Sequence, residues 1–192
     1  MNRDLVKLPS LNKLIIVRYP DPVLRRVCAP VERFSPELAK LAKRMLALMK
    51  EAKGVGLAAP QVGVSIRLFV CNATGEATDD LVCINPRFLD LRGAEEKDEG
   101  CLSIPGVNVS MRRATRAVME AFDVKSERVE RSTEALLARV WQHEIDHLNG
   151  RLVIDAMSVT DEIANRRTIK QLEADYAAAR RGKKPRRCAS SS

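Results

Sequence analysis

The feature that most constrains this chain is its pair of histidines, the only two in 192 residues, which lie four positions apart. Side chains at that spacing project from the same side of an α-helix, so His143 and His147 predict a helix with both imidazoles on one face. Ser132 is a suitable N-cap for this helix and Asn149-Gly150 a suitable end. The largely apolar composition of the segment indicates a central position in the fold.

Glu144 completes the pattern H-E-x-x-H over His143–His147. In metal-dependent hydrolases with this pattern the two imidazoles hold a metal ion and the glutamate handles protons. The same five residues also occur in amphipathic helices whose histidines are only hydrogen-bonded. A catalytic site of this type needs three protein ligands and one open position, so the third ligand decides the class.

Three candidates for the third ligand can be weighed. A metzincin-like protease would have a histidine six residues past His147, but that position is Val153. A thermolysin-like protease would use a downstream glutamate, and Glu162 or Glu173 could be nominated. The stretch that follows Glu99 supplies Cys101, and a thiolate with two imidazoles is a known ligand set. A free cysteine is more often a small buried hydrophobe, which remains our interpretation of Cys28, Cys71 and Cys83.

Two further helices and a set of strands are predicted around this helix. Ser35-Pro36-Glu37 is typical of a helix start, and apolar residues then recur at helical spacing until Gly54. A third helix is predicted from Thr160 to about Arg181. Short apolar runs between Ile66 and Arg131 predict antiparallel strands. The runs are Ile66–Cys71, Leu81–Ile84 and Ala117–Val124. The expected stripe of the third helix is Ile169, Leu172, Tyr176 and Ala179. The predicted class is α+β, with antiparallel strands surrounding the histidine helix.

Length and composition indicate the number of domains and the cellular compartment, and they argue against a membrane span and a DNA-binding groove. The length suits one domain, which we place at residues 1–181, with a disordered tail at 182–192. Five widely spaced cysteines do not resemble a disulfide framework, so we expect a reducing cytoplasm. The apolar stretch Leu11–Val17 is too short to span a membrane. Six of the eight net positive charges follow Asp175, and aromatic residues are only 4%, so a DNA-binding groove is not expected.

A glycine-rich segment, Gly54–Gly63, contains small residues that allow a ligand to approach the backbone closely. It lacks the lysine and hydroxyl residue of a phosphate-binding P-loop, so a nucleotide site is not predicted. The alternative is an ordinary turn between a helix and a strand.

Three motifs in this order resemble those of the peptide deformylase family: Gly-x-Gly-Leu-Ala-Ala-Pro-Gln from Gly54, Glu-Gly-Cys-Leu-Ser from Glu99, and Gln-His-Glu-x-Asp-His from Gln142. The likeness extends from about Ile15 to Asp155. The chain departs from the family pattern at Ala135, where glycine is frequent, and also at Trp141, where a smaller aliphatic residue is usual.

The resemblance implies hydrolysis of the N-terminal formyl group of formylmethionyl nascent polypeptides. It assigns Cys101, His143 and His147 as ligands of one divalent metal, ferrous iron in the cell, with zinc or nickel able to replace it in purified protein. Glu144 would carry the proton, while the Gln61 amide and the Leu102 backbone N–H would stabilise the oxyanion.

The resemblance also implies a substrate site. The Val55-Gly56 backbone would pair with the peptide as a short strand. Glu99, Leu136, Arg139 and Val140 would line the methionine pocket, with the charge of Arg139 reaching water.

The basic residues after Asp175, together with the resemblance, also imply a partner. The basic C-terminal helix and tail would dock the protein on the ribosome near the exit tunnel, although a solvated tail is a common alternative. The rival functions are a zinc endopeptidase and a catalytically silent module that binds the ribosome or RNA.

Overall fold

The computed structural model describes residues 10–181. It contains the α-helices α1 (Pro36–Glu51), α2 (Ala135–Leu148) and α3 (Val159–Arg181). The strands are β1 (Gly56–Ala58), β2 (Leu68–Cys71), β3 (Leu81–Arg92), β4 (Glu95–Cys101), β5 (Ile104–Arg113), β6 (Arg116–Phe122) and β7 (Arg128–Glu134). Within this part of the chain, no helix has the length and apolar character needed to cross a membrane. The predicted disordered tail, residues 182–192, lies outside the described residues.

The strands form two antiparallel sheets, a five-stranded sheet in the order β1-β2-β3-β6-β7 and a two-stranded sheet of β4 and β5. The α+β class predicted from the sequence is therefore confirmed. The run that ended at Ile84 continues to Arg92, because β3 passes through Asn85-Pro86 with a shift in its register against β6. Strand β4 is almost wholly polar and exposed, so its sequence contains no apolar run to indicate it.

Helix α1 begins where the sequence indicated. The Ser35 hydroxyl accepts a hydrogen bond from Leu38 N at 3.3 Å, and Pro36 occupies the first turn. Gly54 N donates to Met49 O at 2.9 Å, which closes the C-terminal end of the helix. The apolar face of α1 packs against β1 and β2 in one core cluster. Its buried residues are Leu38, Leu41, Ala42, Met45 and Met49.

The predicted start of α2 at Ser132 is wrong. Ser132 lies within β7 and pairs with Val118 of β6, so its backbone is extended. The helix begins only at Ala135, after the last pair of the ladder, and Glu134 at the N-cap position makes no side-chain cap. Ala135 has φ 53°, a left-handed conformation that side chains other than glycine rarely adopt. Its N–H donates to Thr115 O at 2.9 Å, which holds the turn from strand to helix.

Helix α2 is central, as predicted, and ends at Asn149 followed by Gly150 with φ 72°. It packs on the five-stranded sheet through a second core cluster, in which the Trp141 indole is almost fully buried beside Phe69 and Met119. The helix thereby turns its histidine face toward the β4–β5 hairpin.

Helix α3 covers the outer edge of β5. Asn165 is its one buried residue within the described range, and its side chain pairs with the backbone of Asn108, donating to Asn108 O at 2.8 Å. Ile169 and Leu172 pack against the third core cluster, around Leu24 and the inward face of β5. Ala179, which was predicted to extend this stripe, is exposed.

Candidate metal centre

Three side chains of the right chemistry meet where α2 faces the end of β4. The ligand atoms of Cys101, His143 and His147 all lie within 4.8 Å of one another. Cys101 Sγ is 3.3 Å from His147 Nε2, and the two imidazole rings stand edge to face with centroids 5.0 Å apart. Cys101 reaches this position because the β4–β5 ladder changes register directly after Gly100. The arrangement offers one thiol and two imidazoles to a single ion.

The surroundings of these groups favour the charged thiolate. Burial acts to raise the pKa of the Cys101 thiol, but the His147 and His143 imidazoles outweigh it and hold this pKa well below its usual range. Burial also acts to lower the pKa of His143, and its hydrogen bonds to Cys101 and Glu99 outweigh that effect. A thiolate between two imidazoles is the donor set that zinc and iron sites use. The residues present therefore fit a divalent metal ion.

Behind the ligands lies a buried carboxylate. Glu99 Oε2 is 3.2 Å from His143 Nδ1. The same carboxylate accepts two hydrogen bonds from Arg113, each at 3.0 Å, and one from Arg139 at 2.7 Å. Burial acts to raise the pKa of Glu99, but the hydrogen bonds from His143 and Arg113 and their charges outweigh it and hold this pKa at about 2. Glu99 is thus a fixed anion that orients the imidazole of His143.

The expectation that the charge of Arg139 reaches water is wrong. The Arg139 side chain is buried, and its guanidinium donates to Glu99 and to the backbone oxygens of Met111 and Glu95, each at 2.9 Å. Because Glu99 is available as a partner, the guanidinium turns inward and donates to this carboxylate and to three backbone oxygens, the third being Lys97 O at 3.5 Å. Arg139 therefore presents a neutralised ion pair to the site and no solvated charge.

Glu144 is buried next to the ligands, and its Oε2 has no hydrogen-bond partner among the described residues. Burial raises the pKa of this carboxyl to about 7, against the opposing effect of the two histidines. A Cβ placed on Gly56 would lie 2.3 Å from Glu144 Oε1, so only glycine allows β1 to approach this closely. The carboxylate is therefore poised between the ligand cluster and the edge of β1, with one oxygen available to a bound molecule.

Gln61 is held by its own backbone neighbourhood. It lies in a short 3₁₀ helix, Ala59–Val62, and its Oε1 accepts a hydrogen bond from Ala58 N at 2.8 Å. That bond orients the amide nitrogen, which donates to Ser103 Oγ at 3.3 Å and to Cys101 Sγ at 3.5 Å. The Gln61 amide thus points at the ligand cluster, and Leu102 follows Cys101 in the turn beside it.

A pocket of about 480 Å³ opens next to the cluster. Its volume is in the range of small-molecule and peptide side-chain sites. One wall is the edge of β1, which pairs with β2 on its other side. Asn72 N donates to Val55 O at 3.0 Å, so the alternation of antiparallel pairing turns the Gly56 backbone groups away from β2 and toward the pocket. The lining includes the adjacent hairpin and eleven of the twelve predicted site residues. These eleven are Val55, Gly56, Gln61, Glu99, Cys101, Leu102, Leu136, Arg139, Val140, His143 and Glu144.

The twelfth predicted residue, His147, does not line the pocket and lies behind it, buried within the ligand group. The rival third ligands are not at the site: Glu162 and Glu173 are exposed on α3, and Glu173 accepts a hydrogen bond from the Tyr19 hydroxyl. The structure brings all twelve residues into one region, and the roles assigned to them stay predictions.

Sequence reasoning missed Arg113 and Asp146. The Arg113 guanidinium joins Glu99 to Asp146, donating to the latter at 2.5 Å, and is buried. A signal was present, since Val107, Val109 and Met111 alternate along the inward face of β5 and Arg113 continues that alternation. Asp146 stood inside the histidine motif, but no partner for it could be named from the sequence.

The family model for polypeptide deformylase matches residues 13–162. A peptide deformylase from Alkalilimnicola ehrlichii is 45% identical over 161 residues, covering 83% of this chain and 89% of the relative.

Solved structures agree. The crystal structure of a peptide deformylase from Legionella pneumophila matches with a TM-score of 0.79 at 39% identity, covering 88% of this chain and 98% of the other. The crystal structure of a peptide deformylase from Plasmodium falciparum matches with a TM-score of 0.81 at 35% identity, covering 85% of this chain and 97% of the other.

Proposed function

The chain belongs to the peptide deformylase family, and on that premise we propose that Cys101, His143 and His147 hold one divalent metal ion for the hydrolysis of the N-terminal formyl group of nascent polypeptides. The enzyme is a metallohydrolase that acts on a linear amide and releases formate. The single observation that carries the proposal is the convergence of a thiolate, two imidazoles and the unpartnered Glu144 oxygen beside an open strand edge.

The chemistry divides between the ion and the chain. A divalent ion held by these three ligands would supply Lewis acidity and would lower the pKa of the attacking water from ~16 toward ~7. Glu144 Oε2 accepts the proton of the attacking water and then delivers it to the departing amine nitrogen. The bond broken joins the formyl carbon to that nitrogen, and the water oxygen becomes part of formate. Glu144 Oε2 is suited to this role because it is buried beside the ligands and has no hydrogen-bond partner among the described residues.

The negative charge on the formyl oxygen needs donors in place before the reaction. We assign the Gln61 side-chain amide and the Leu102 backbone N–H. One of the two hydrogen bonds that Gln61 Nε2 makes is to Cys101 Sγ, at 3.5 Å, and this sulfur would be a ligand of the ion in the loaded enzyme. We expect this contact to be the one exchanged for the formyl oxygen, while Ser103 keeps the amide in place.

The peptide binds along the Val55-Gly56 edge as an added strand, which reads the main chain and accepts many sequences. The methionine side chain then enters the pocket beside Leu136 and Val140. The Glu99–Arg139 ion pair forms the back of this pocket, and its internal neutrality suits an apolar side chain.

We further propose that iron(II) is the ion held in the cell, and that zinc or nickel can replace it in purified protein, because thiolate and imidazole ligands suit all three. We place the enzyme in the cytoplasm, acting on chains that emerge from the ribosome. Residues 1–181 form the catalytic domain in this proposal, and the basic residues from Arg180 onward bind the ribosome.

The function is tested with purified, metal-loaded protein and three peptides: a formyl-methionyl peptide, its acetyl counterpart, and a peptide blocked at both ends with an internal methionine. We expect formate and one free amine per formyl-methionyl peptide, and no reaction with the others. Metal analysis should give one ion per chain. Cleavage of the peptide that is blocked at both ends would favour an endopeptidase. No reaction with any of the three peptides would favour a binding module.

A further inference from the structure

The substrate pocket has two exposed charged side chains in its lining, Lys53 and Asp98. Its other charged walls are buried, and Glu99 and Arg139 pair with each other. Among the described residues, neither the Lys53 ammonium nor the Asp98 carboxylate has an ion-pair or side-chain hydrogen-bond partner. Both charges are therefore available to a molecule that enters the pocket.

The backbone of Lys53 is held firmly at the end of α1. Lys53 has φ 56°, a left-handed conformation, and its N–H donates to Lys50 O at 2.9 Å. Gly54 N donates to Met49 O at the same distance. These bonds close the last turn of the helix, so Lys53 stands immediately before the strand edge and is not part of a mobile loop.

The position of Lys53 along the edge sets which part of a peptide it meets. Gly56 lies against Glu144, where the formyl group reacts. Lys53 precedes Gly56 by three residues, so the chain between them spans at most about 10 Å. A peptide that pairs antiparallel with this edge, with its formyl group beside Glu144, runs from Gly56 toward Lys53 and brings the side chains that follow methionine near it.

We propose, resting on the deformylase function above, that Lys53 is a specificity-determining residue that favours nascent chains with an acidic side chain at the second or third position. Asp98, on the β4 side of the pocket, acts in the opposite direction and favours basic side chains. The substrate class that Lys53 selects is thus set by charge close to the start of the protein chain.

The expected size of the charge preference is small because the side chains of Lys53 and Asp98 are exposed to solvent. An exposed pair of opposite charges changes an equilibrium by about two- to fivefold, and salt screens it. Replacing Lys53 should therefore lower the ratio of kcat/KM for acidic over basic peptides at low salt, and the change should shrink at high salt.

The test uses metal-loaded full-length protein and C-terminally amidated peptides formyl-Met-Ala-Xaa and formyl-Met-Xaa-Ala, in which Xaa is Glu, Gln or Lys. We expect Lys53→Glu to lower the Glu/Lys ratio of kcat/KM in at least one series, and Asp98→Asn to raise it. Lys43→Glu makes the same change in net charge on the exposed face of α1, outside the pocket, and should keep the wild-type ratio.

The outcomes separate the two proposals. If the wild-type enzyme deformylates the glutamine peptide and Lys53→Glu leaves the Glu/Lys ratio unchanged in both series, the role of Lys53 is overturned. An equal change in Lys43→Glu would also overturn it, since the effect would then come from net charge. If the wild-type enzyme releases no formate from the glutamine peptide, the deformylase function itself fails, and the inference fails with it.

Discussion

The Glu99 carboxylate lies 3.2 Å from Nδ1 of His143, and it is held there by hydrogen bonds from Arg113 and Arg139. A carboxylate on the far nitrogen of a ligating imidazole fixes the tautomer and the orientation of the ring. Glu99 thus acts on the metal site from behind, although the sequence motif suggested only a place in the pocket wall.

Replacing Glu99 with glutamine should therefore weaken metal binding by about 10- to 100-fold, the range found for such outer partners. Titration against a competing chelator measures the change. Glu96→Gln is the matched control, because Glu96 lies on the exposed side of the same strand and should leave metal affinity unchanged. Equal affinity in wild type and Glu99→Gln would contradict the orienting role.

Variants of the metal ligands and of the proton carrier should differ in the amount of metal that they bind. We expect Cys101→Ala and His147→Ala to lose both the ion and turnover, because each removes one of three ligands. Glu144→Ala should retain the ion and lose turnover by at least ~10²–10⁴-fold, as for a general acid–base residue. Elemental analysis beside formate release measures both quantities, and equal metal loss in all three variants would refute the assignment.

The close approach of β1 to α2 predicts a strong effect at Gly56. A methyl group in Gly56→Ala would lie 2.3 Å from Glu144 Oε1 and 2.9 Å from Val140, so Glu144 must move. Turnover should fall by more than about tenfold, since a displaced base misaligns proton transfer. Gly75→Ala, at an open position with φ 88°, should lower the melting temperature slightly and leave turnover near wild type. Unchanged turnover in Gly56→Ala would show that Glu144 tolerates the shift.

With iron(II) bound, the activity of the enzyme should be sensitive to air. A thiolate beside iron(II) is open to oxidation, whereas nickel and cobalt are far less reactive toward oxygen. Activity of the iron enzyme should therefore decay in air while nickel- or cobalt-loaded enzyme persists, as followed by timed assays with and without oxygen. Identical decay for every metal would remove the basis for iron.

Deleting Arg180–Ser192 should weaken binding to ribosomes and flatten its dependence on salt, because the segment carries six basic residues and no acidic ones. Turnover of a small formyl peptide should stay nearly intact, since Arg180 and Arg181, the described residues of this segment, do not line the pocket. Co-sedimentation at several salt concentrations measures the first quantity. Unchanged co-sedimentation of the truncated protein at low salt would exclude docking through this segment.

The parts that sequence predicted well have local causes. The Ser35 cap and the end of α2 at Asn149-Gly150 depend on a few neighbouring residues, and both are confirmed by the structure. The spacing of His143 and His147 likewise needs only helical geometry to bring two imidazoles together.

The parts that sequence missed depend on pairing with distant segments. Ser132 has the chemistry of an N-cap, but its ladder with Val118 keeps it extended, and no local pattern reveals that register. Arg139 was expected to reach water because long cations usually do, and only the fold supplies the Glu99 carboxylate that turns it inward. Arg113 needed the same information about its partners.

The ligands of the metal come from two separate pieces of the fold, Cys101 from the two-stranded hairpin and the histidines from the helix that packs on the five-stranded sheet. An ion at this site is therefore a cross-link that closes the long stretch of chain between them, and it binds the folded state in preference to the unfolded one. Each tenfold excess of the ion over its dissociation constant adds about 1.4 kcal/mol to the free energy of unfolding. The melting temperature of this protein should therefore depend on the concentration of available metal ion as well as on its hydrophobic core.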